Sequence, residues 1–282
     1  MPELPEVETV KLQLIKYLVG HTLQDIKILD TKIFSGNPKE VIGAKFKDIK
    51  RFGKVLSLDL NNGYSIVIHI KLTGQLIFRD KRLGAGNKLS PKVVGGVPGP
   101  HTHVIFYLDK DAFLYYNDVR RFGWLKIVES NKVQVTGFIG KLGPEPFKGL
   151  TFKVFQDILS KTGRAIKVVL MDQEKMGGVG NIYANDALWL SAISPRRSAK
   201  TLTQEEIKKL YEAIHAVLRA GLKYGGASEL AFVTPDGAEG EYQNHTLVYG
   251  HEGEICKRCE KSEIEKYFLS GRGTYWCPAC QK

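Results

Sequence analysis

A chain of 282 residues with 43% hydrophobic and 10% aromatic content has enough apolar mass for one large or two ordinary cored domains, which excludes a disordered or fibrous chain. Lys and Arg number 41 against 30 Asp and Glu, a formal charge of +11 that suits a polyanionic partner, because each neutralised phosphate releases counterions. No stretch approaches the roughly 20 apolar residues of a membrane span; the acidic N-terminus lacks the layout of a secretory signal; and all four cysteines fall at or after position 256, unlike a disulfide framework, so the expected compartment is the cytoplasm.

The first predicted element is a helix over 6–19. Val7, Val10, Leu14 and Leu18 recur at spacings of three and four, Glu6 and Glu8 suit the positive end of the helix, and Gly20 closes it. Pro5 stands at the first helical position and should hold Leu4 extended. From about 22 to 130 the texture is that of strands. KVLSLDL (54–60), YSIVIHIKL (64–72), QLIFRD (75–80), HVIFYLD (103–109) and FLYYNDV (113–119) are short, β-branched or aromatic, and separated by turn signals such as Asn61-Asn62-Gly63. They predict an antiparallel β-sandwich or barrel. Leu72, continuing the alternation of Ile66, Ile68 and Ile70, would then face the core. Residues 81–100, rich in Gly, Pro and Lys, read as a mobile loop.

Beyond the turn-rich GKLGPEPFKGL (140–150), helices take over: FKVFQDILSK, RAIKVVLMDQ, NIYANDALWLSA and the long segment 201–226. The last starts with a capping box, Thr203 with Glu206, and ends at Gly225-Gly226. The fold class is α+β: an N-terminal helix and antiparallel β-sandwich over 1–134, a helical domain over 135–240 and a cysteine-bearing tail over 241–282, with a hinge near 131–145.

Three stretches carry chemistry. MGGVGNIYANDALW (176–189) sets three glycines before a helix that Asn181 would cap, a place where backbone N–H groups and the helix dipole attract an anion. In the tail, Cys256 and Cys259 form one Cys-x2-Cys pair and Cys277 and Cys280 a second, with a hairpin between them. Four thiolates so spaced predict one structural Zn²⁺ with no open coordination position. The hairpin tip, Gly271-Arg272-Gly273-Thr274, would suit a phosphate backbone. The third stretch is the terminus itself. Loss of Met1 would leave Pro2 as a free secondary amine, and an α-amino group titrates near 8 against about 10.4 for lysine, so roughly 250-fold more of it is unprotonated. Such an amine can attack an electrophilic sugar carbon and form a Schiff base, with Glu3 and Glu6 beside it as acid, base or orienting carboxylate.

PELPEVETV, the lysine of RFGKVL, HIKLTGQL, DVRRFG, LGPEP, MGGVGNIYANDALW, LVYG and the four-cysteine hairpin occur in the order found in bacterial formamidopyrimidine-DNA glycosylases, and this resemblance spans the whole chain. It implies a monomeric base-excision-repair enzyme. That enzyme would remove 8-oxoguanine and formamidopyrimidines from double-stranded DNA, then cleave the strand by β,δ-elimination. Its fold would be a helix and β-sandwich, a helix–two-turn–helix domain and a zinc finger. By the same resemblance Pro2 is the nucleophile, Glu3 the general acid/base, Glu6 a supporting carboxylate and Lys54 a phosphate grip at the lesion. Asn181 and Arg272 bind phosphates, and Leu72, Arg120 and Phe122 form the wedge that fills the stack when the base flips out. Leu72 departs from the methionine usual there. The cysteine spacing is one residue longer than usual, which a bulge in the hairpin would absorb. The segment 225–243 occupies the place of the loop that covers the flipped base. Two other readings stay open: a sister glycosylase for oxidised pyrimidines, whose terminus usually reads PEGPE, and a catalytically silent zinc-bearing DNA-binding protein.

Overall fold

The computed structural model describes residues 1–84, 88–135 and 137–282. Two compact units make up the chain: residues 1–140 with 222–243, and residues 141–221 with 244–282. The structure thus groups 222–243 with the N-terminal unit and the cysteine tail with the helices, where the sequence suggested cuts after 134 and 240.

The first unit opens with α1 (Leu4–Leu18). The helix starts before the expected residue 6, and Leu4 is helical rather than extended. The Glu3 N–H donates to Glu6 Oε2 at 2.7 Å, which winds the first turn early. Leu4 is also fully buried, and together these outweigh the bias that Pro5 places on its neighbour. Among the described residues of this unit nine strands follow: β1 (Leu23–Ile28), β2 (Phe34–Ser35), β3 (Phe46–Phe52), β4 (Val55–Leu60), β5 (Tyr64–His69), β6 (Gly74–Arg79), β7 (Thr102–Leu108), β8 (Ala112–Asp118) and β9 (Trp124–Glu129). A single helical turn, α2 (Lys81–Gly84), comes directly after β6. The strands form a five-stranded sheet in the order β2-β9-β5-β4-β3 and a four-stranded sheet in the order β1-β7-β8-β6. All pairings are antiparallel except the two-residue match of β2 with β9, a departure from the wholly antiparallel sheets expected. Leu58, Ile66 and Ile68 of one sheet, Phe78, Phe106 and Tyr116 of the other, and Val7, Val10, Leu14 and Leu18 of α1 share one core.

The central strand β5 explains a misreading. Its second face is covered as well, because Val67 packs with Val55, Val133 and Ile139 in a smaller cluster. Alternation therefore gives no polar face to mark the strand's end. β5 stops at His69 rather than running on to residue 72, and Leu72 lies half-buried in the following turn, so the alternative placing of Leu72 in the core does not hold. The loop read as mobile is also tied down along 88–93, where Ser90 and Lys92 bond to residues beyond 227; the part at 85–87 lies outside the described residues.

The second unit contains α3 (Phe152–Ser160), α4 (Ile166–Leu170) and α5 (Asn181–Leu190), and α6 (Gln204–Lys223) up to Gly221. α4 is half the expected length. The capping box at α6 is formed: the Glu206 N–H donates to Thr203 Oγ1 at 3.3 Å and the Thr203 N–H to Glu206 Oε2 at 2.8 Å. The tail pairs β10 (Glu265–Leu269) with β11 (Arg272–Trp276) in unbroken register, so the added residue between the cysteine pairs makes no bulge in this ladder. Among the described residues no helix is long and apolar enough to cross a membrane.

α1 contributes to stability through its buried stripe and little through its outer face. Leu14→Ala should cost about 3 kcal/mol by urea unfolding, the loss of a buried leucine plus its cavity. Leu12→Ala, at a side chain 56% exposed, should cost less than about 0.5 kcal/mol. Equal costs would show that the stripe has been misplaced.

Candidate active site and nucleic-acid interface

The N-terminal site is built around two buried carboxylates. Glu3 is the N-cap residue of α1 and Glu6 lies in its first turn; both are almost wholly buried, as is Pro2. Glu6 Oε2 accepts the Glu3 N–H, and Glu6 Oε1 accepts the Ala227 N–H at 2.8 Å. Gly226 brings that second donor in. It has a φ of +86°, and a Cβ there would stand 2.8 Å from Glu6 Cγ, so glycine is required twice over. Lys54 sits at the turn between β3 and β4, also buried. Arg51 braces that turn from Gly53 O at 2.9 Å to Glu8 Oε2 on α1 at 2.7 Å. Burial first, then the Lys71 and Lys54 cations, push the His69 imidazole down to about 3 and keep it neutral.

Leu72, Arg120 and Phe122 lie on two loops held by one buried residue, Asp118. Thr73 Oγ1 donates to Asp118 Oδ1, which also accepts the Arg120 N–H at 3.2 Å. Asp118 Oδ2 accepts the Gly123 N–H at 2.8 Å. The Arg120 N–H reaches Thr73 Oγ1 as well, at 3.0 Å, so the loop bearing Leu72 and the loop bearing Arg120 are fastened to each other. Phe122 is 53% exposed, and the Arg120 guanidinium lies 4.8 Å from its ring centroid. Burial and the Asp118 carboxylate raise the Tyr116 hydroxyl well above the ordinary tyrosine range, so it stays protonated and donates to Asp118 Oδ2.

In the second unit Asn181 is the first residue of α5, not its cap; the N-cap position belongs to Gly180. Gln173 shapes the glycine turn before it, accepting the Gly178 N–H at 3.0 Å and donating to Val179 O at 2.7 Å. Arg272 is exposed at the turn of the tail hairpin. The buried Lys167 ammonium supports that turn, donating to Gly273 O at 2.8 Å and Thr274 Oγ1 at 2.7 Å. A cleft of about 350 Å³ opens there, lined by Arg164, Lys167, Asp172, Leu269, Ser270 and Arg272.

The four cysteines converge. All their sulfurs lie within 4.8 Å of one another, with Cys256 and Cys280 at 3.8 Å and Cys259 and Cys277 at 3.7 Å. Four sulfurs bound tetrahedrally at about 2.3 Å from a zinc ion stand about 3.8 Å apart, so the cluster fits such an ion. Burial opposes ionisation of Cys256, but the Cys259 and Arg258 backbone N–H groups and the Trp189 indole outweigh it and bring the thiol down to about 6. Burial and the three neighbouring thiols push Cys280 up to about 12. A divalent cation would relieve that mutual repulsion.

Sequence reasoning missed the residues that hold these groups in place: Asp118, Lys167, and Asn185 and Asp186 on α5. Asn185 Oδ1 accepts the Tyr275 N–H at 2.9 Å, and Asp186 Oδ1 accepts the Val248 and Tyr249 N–H groups at 3.0 and 3.1 Å. For Lys167, Asn185 and Asp186 the available signal was their charge or polarity within otherwise apolar stretches, since a buried polar side chain requires partners.

Residues 1–125 match the formamidopyrimidine-DNA glycosylase N-terminal domain, and residues 142–232 match the H2TH domain of the same enzymes. The chain is 37% identical to the formamidopyrimidine-DNA glycosylase of an Exiguobacterium strain over the full length of both, and 38% identical to that of a Bacillus cereus strain over all of this chain and 99% of the relative. The crystal structure of MutM (Fpg) from Thermus thermophilus superposes with a TM-score of 0.86 at 35% identity, covering 99% of this chain and 98% of that one. A MutM complex with DNA containing carbocyclic 8-oxo-G superposes at 0.87 with 31% identity over the whole of both chains. The chain belongs to the formamidopyrimidine-DNA glycosylase family.

Proposed function

We propose that this protein is a base-excision-repair DNA glycosylase and AP lyase that removes oxidised purines from duplex DNA through a Schiff base at Pro2. The observation that carries the reading is the arrangement at the start of α1, where Pro2 is followed by two buried carboxylates, one of them with both oxygens engaged by backbone N–H groups. Such an enzyme works on the chromosome, in the cytoplasm.

Once Met1 is removed, the Pro2 nitrogen attacks C1′ of the extruded nucleotide. The C1′–N9 bond breaks, the base leaves with a proton, and ring opening leaves an iminium between Pro2 and C1′. Glu3 delivers and accepts the protons of these steps. The iminium then acidifies the C2′ hydrogen, whose loss expels the 3′ phosphate; a second elimination expels the 5′ phosphate. Glu6 acts through Glu3, holding its backbone and the start of the helix. Lys54 grips a phosphate at the lesion, Asn181 and Arg272 bind phosphates, and Leu72, Arg120 and Phe122 fill the stack. Cys256, Cys259, Cys277 and Cys280 would hold one structural zinc ion, which pins the two ends of the hairpin.

Borohydride trapping on duplex DNA holding 8-oxoguanine opposite cytosine, beside a dihydrouracil duplex, tests the reading. A covalent adduct mapped to Pro2 on the purine duplex is expected, and Pro2→Gly should abolish it while duplex binding stays measurable. Trapping on the pyrimidine duplex alone would place the protein with the sister glycosylase, and an absence of adduct from protein beginning at Pro2 would leave only a binding protein. Glu3→Gln should block base release by about a hundredfold or more and spare part of the cleavage at a preformed abasic site; equal loss of both steps would reject the role given to Glu3. Chelation should weaken DNA affinity and lower the salt slope by about one as Arg272 is lost, with trapping retained at saturating DNA. Unchanged affinity in metal-free protein would count against the hairpin as a phosphate contact.

A further inference from the structure

The segment 143–150 has no part in the chemistry above, and it is held between the glycine turn and α6. On one side the Gly143 N–H donates to Gln173 O at 2.9 Å, and Pro144 O accepts the Gly177 N–H at 3.1 Å. The two backbones touch: a Cβ at Gly143 would stand 2.6 Å from the Lys175 carbonyl carbon, and one at Gly177 3.0 Å from Gly143 O. On the other side α6 reaches the segment with two side chains. The Tyr211 hydroxyl donates to Leu150 O at 2.9 Å, and His215 Nε2 lies 2.7 Å from Pro146 O.

The second nitrogen of that ring, Nδ1, lies 2.8 Å from Tyr211 O, one turn back on the helix. Both ring nitrogens of His215 thus face carbonyl oxygens, which can only accept. A neutral imidazole has one N–H, so one of the two contacts would set lone pair against lone pair. The imidazolium has two N–H groups and satisfies both. Its aromatic neighbours suit a cation as well, with the Tyr211 ring centroid 4.4 Å away and that of Phe147 5.7 Å away. Among the described residues no carboxylate comes within ion-pair reach of the ring, Glu145 on the segment and Glu212 on α6 included. Lys148 and Arg219 are the nearest cations along these two elements, and Tyr211 is the one titratable side chain stacked on the ring.

We propose that His215 is a positioning residue whose imidazolium latches the segment 143–150 to α6, and that loss of its proton slackens the glycine turn and weakens DNA binding through Asn181. The proposal rests on the phosphate-binding role given to Asn181 above. The path is short. Pro146 O, which His215 holds, is two residues from Pro144 O, which receives the Gly177 N–H, and α5 begins with Asn181 four residues beyond Gly177. A neutral ring keeps one bond and gives up the other, so the latch is closed at low pH and opens as pH rises. Histidine is the side chain whose charge ordinarily changes between about pH 5 and 8, which brings such a change within reach of cellular pH.

Anisotropy titrations of the full-length protein test this, with a duplex holding a tetrahydrofuran abasic-site analogue, at one salt concentration and at about pH 5.5 and about pH 8.5. His215→Gln stays neutral at both values. It should bind about tenfold more weakly than wild type at the lower pH, the loss of one charged hydrogen bond, and within about twofold of wild type at the higher. Taking the ratio at each pH removes the groups common to both proteins. Long-range ¹⁵N–¹H spectra of the wild-type ring give a second reading: both nitrogens should carry protons at the lower pH and one at the higher. Equal ratios at the two pH values, or a ring with the same proton count at both, would overturn the latch, and the spectra decide alone if His215→Gln does not fold. Asn181→Ala should weaken binding at both pH values. Unchanged binding there would overturn the phosphate role of Asn181 and the route from the latch to DNA together; weakened binding there, with equal His215→Gln ratios, would overturn the latch alone.

Discussion

The Glu6 carboxylate accepts the Glu3 N–H on one oxygen and the Ala227 N–H on the other, and the first unit is organised around that pair of bonds. A carboxylate this deeply buried is costly unless its lone pairs are met, and stripping a buried charge of its partners costs on the order of 3–5 kcal/mol. The positive end of α1 lowers the cost further. One charged group therefore fixes the start of the helix, the backbone of Glu3 and the entry to a segment more than two hundred residues away. A loop that would otherwise wander is held beside the residues proposed to react.

The second unit follows the same logic with different chemistry. α5 is apolar nearly all round, yet Asn185 and Asp186 are wholly buried in it. Each side chain meets backbone N–H groups of the tail, so the helix serves as a template for the hairpin. Lys167 supports the hairpin from α4 as a donor, to the Gly273 carbonyl and the Thr274 hydroxyl. The exposed Arg272 is thus carried on a turn whose flanks are fixed by buried polar groups, which spares a long side chain much of the entropy of finding its place.

Features decided within a few residues were legible in the sequence. The stripe of α1, the capping box of α6 and the two Cys-x2-Cys pairs depend on spacing alone, and the structure has them where expected. Features decided by distant partners were not. Leu4 is helical because of a buried carboxylate, β5 ends early because both its faces are covered, and the loop past residue 87 is ordered by contacts with residues beyond 227. The candidate site divides in the same way. Pro2, Glu3, Lys54 and the cysteines could be named from type and order, whereas Asp118 and Lys167 become visible only once the chain has brought them to their partners.

Asp118 holds the two rim loops entirely through backbone N–H groups and the Thr73 hydroxyl, and none of its bonds reaches the side chains of Leu72, Arg120 or Phe122. The scaffold of the two loops is thereby separated from the side chains they carry. Substitutions at those three side chains should be nearly neutral for folding, whereas those at Asp118 and Gly123 should not. A Cβ at Gly123 would lie 1.8 Å from the Tyr116 hydroxyl.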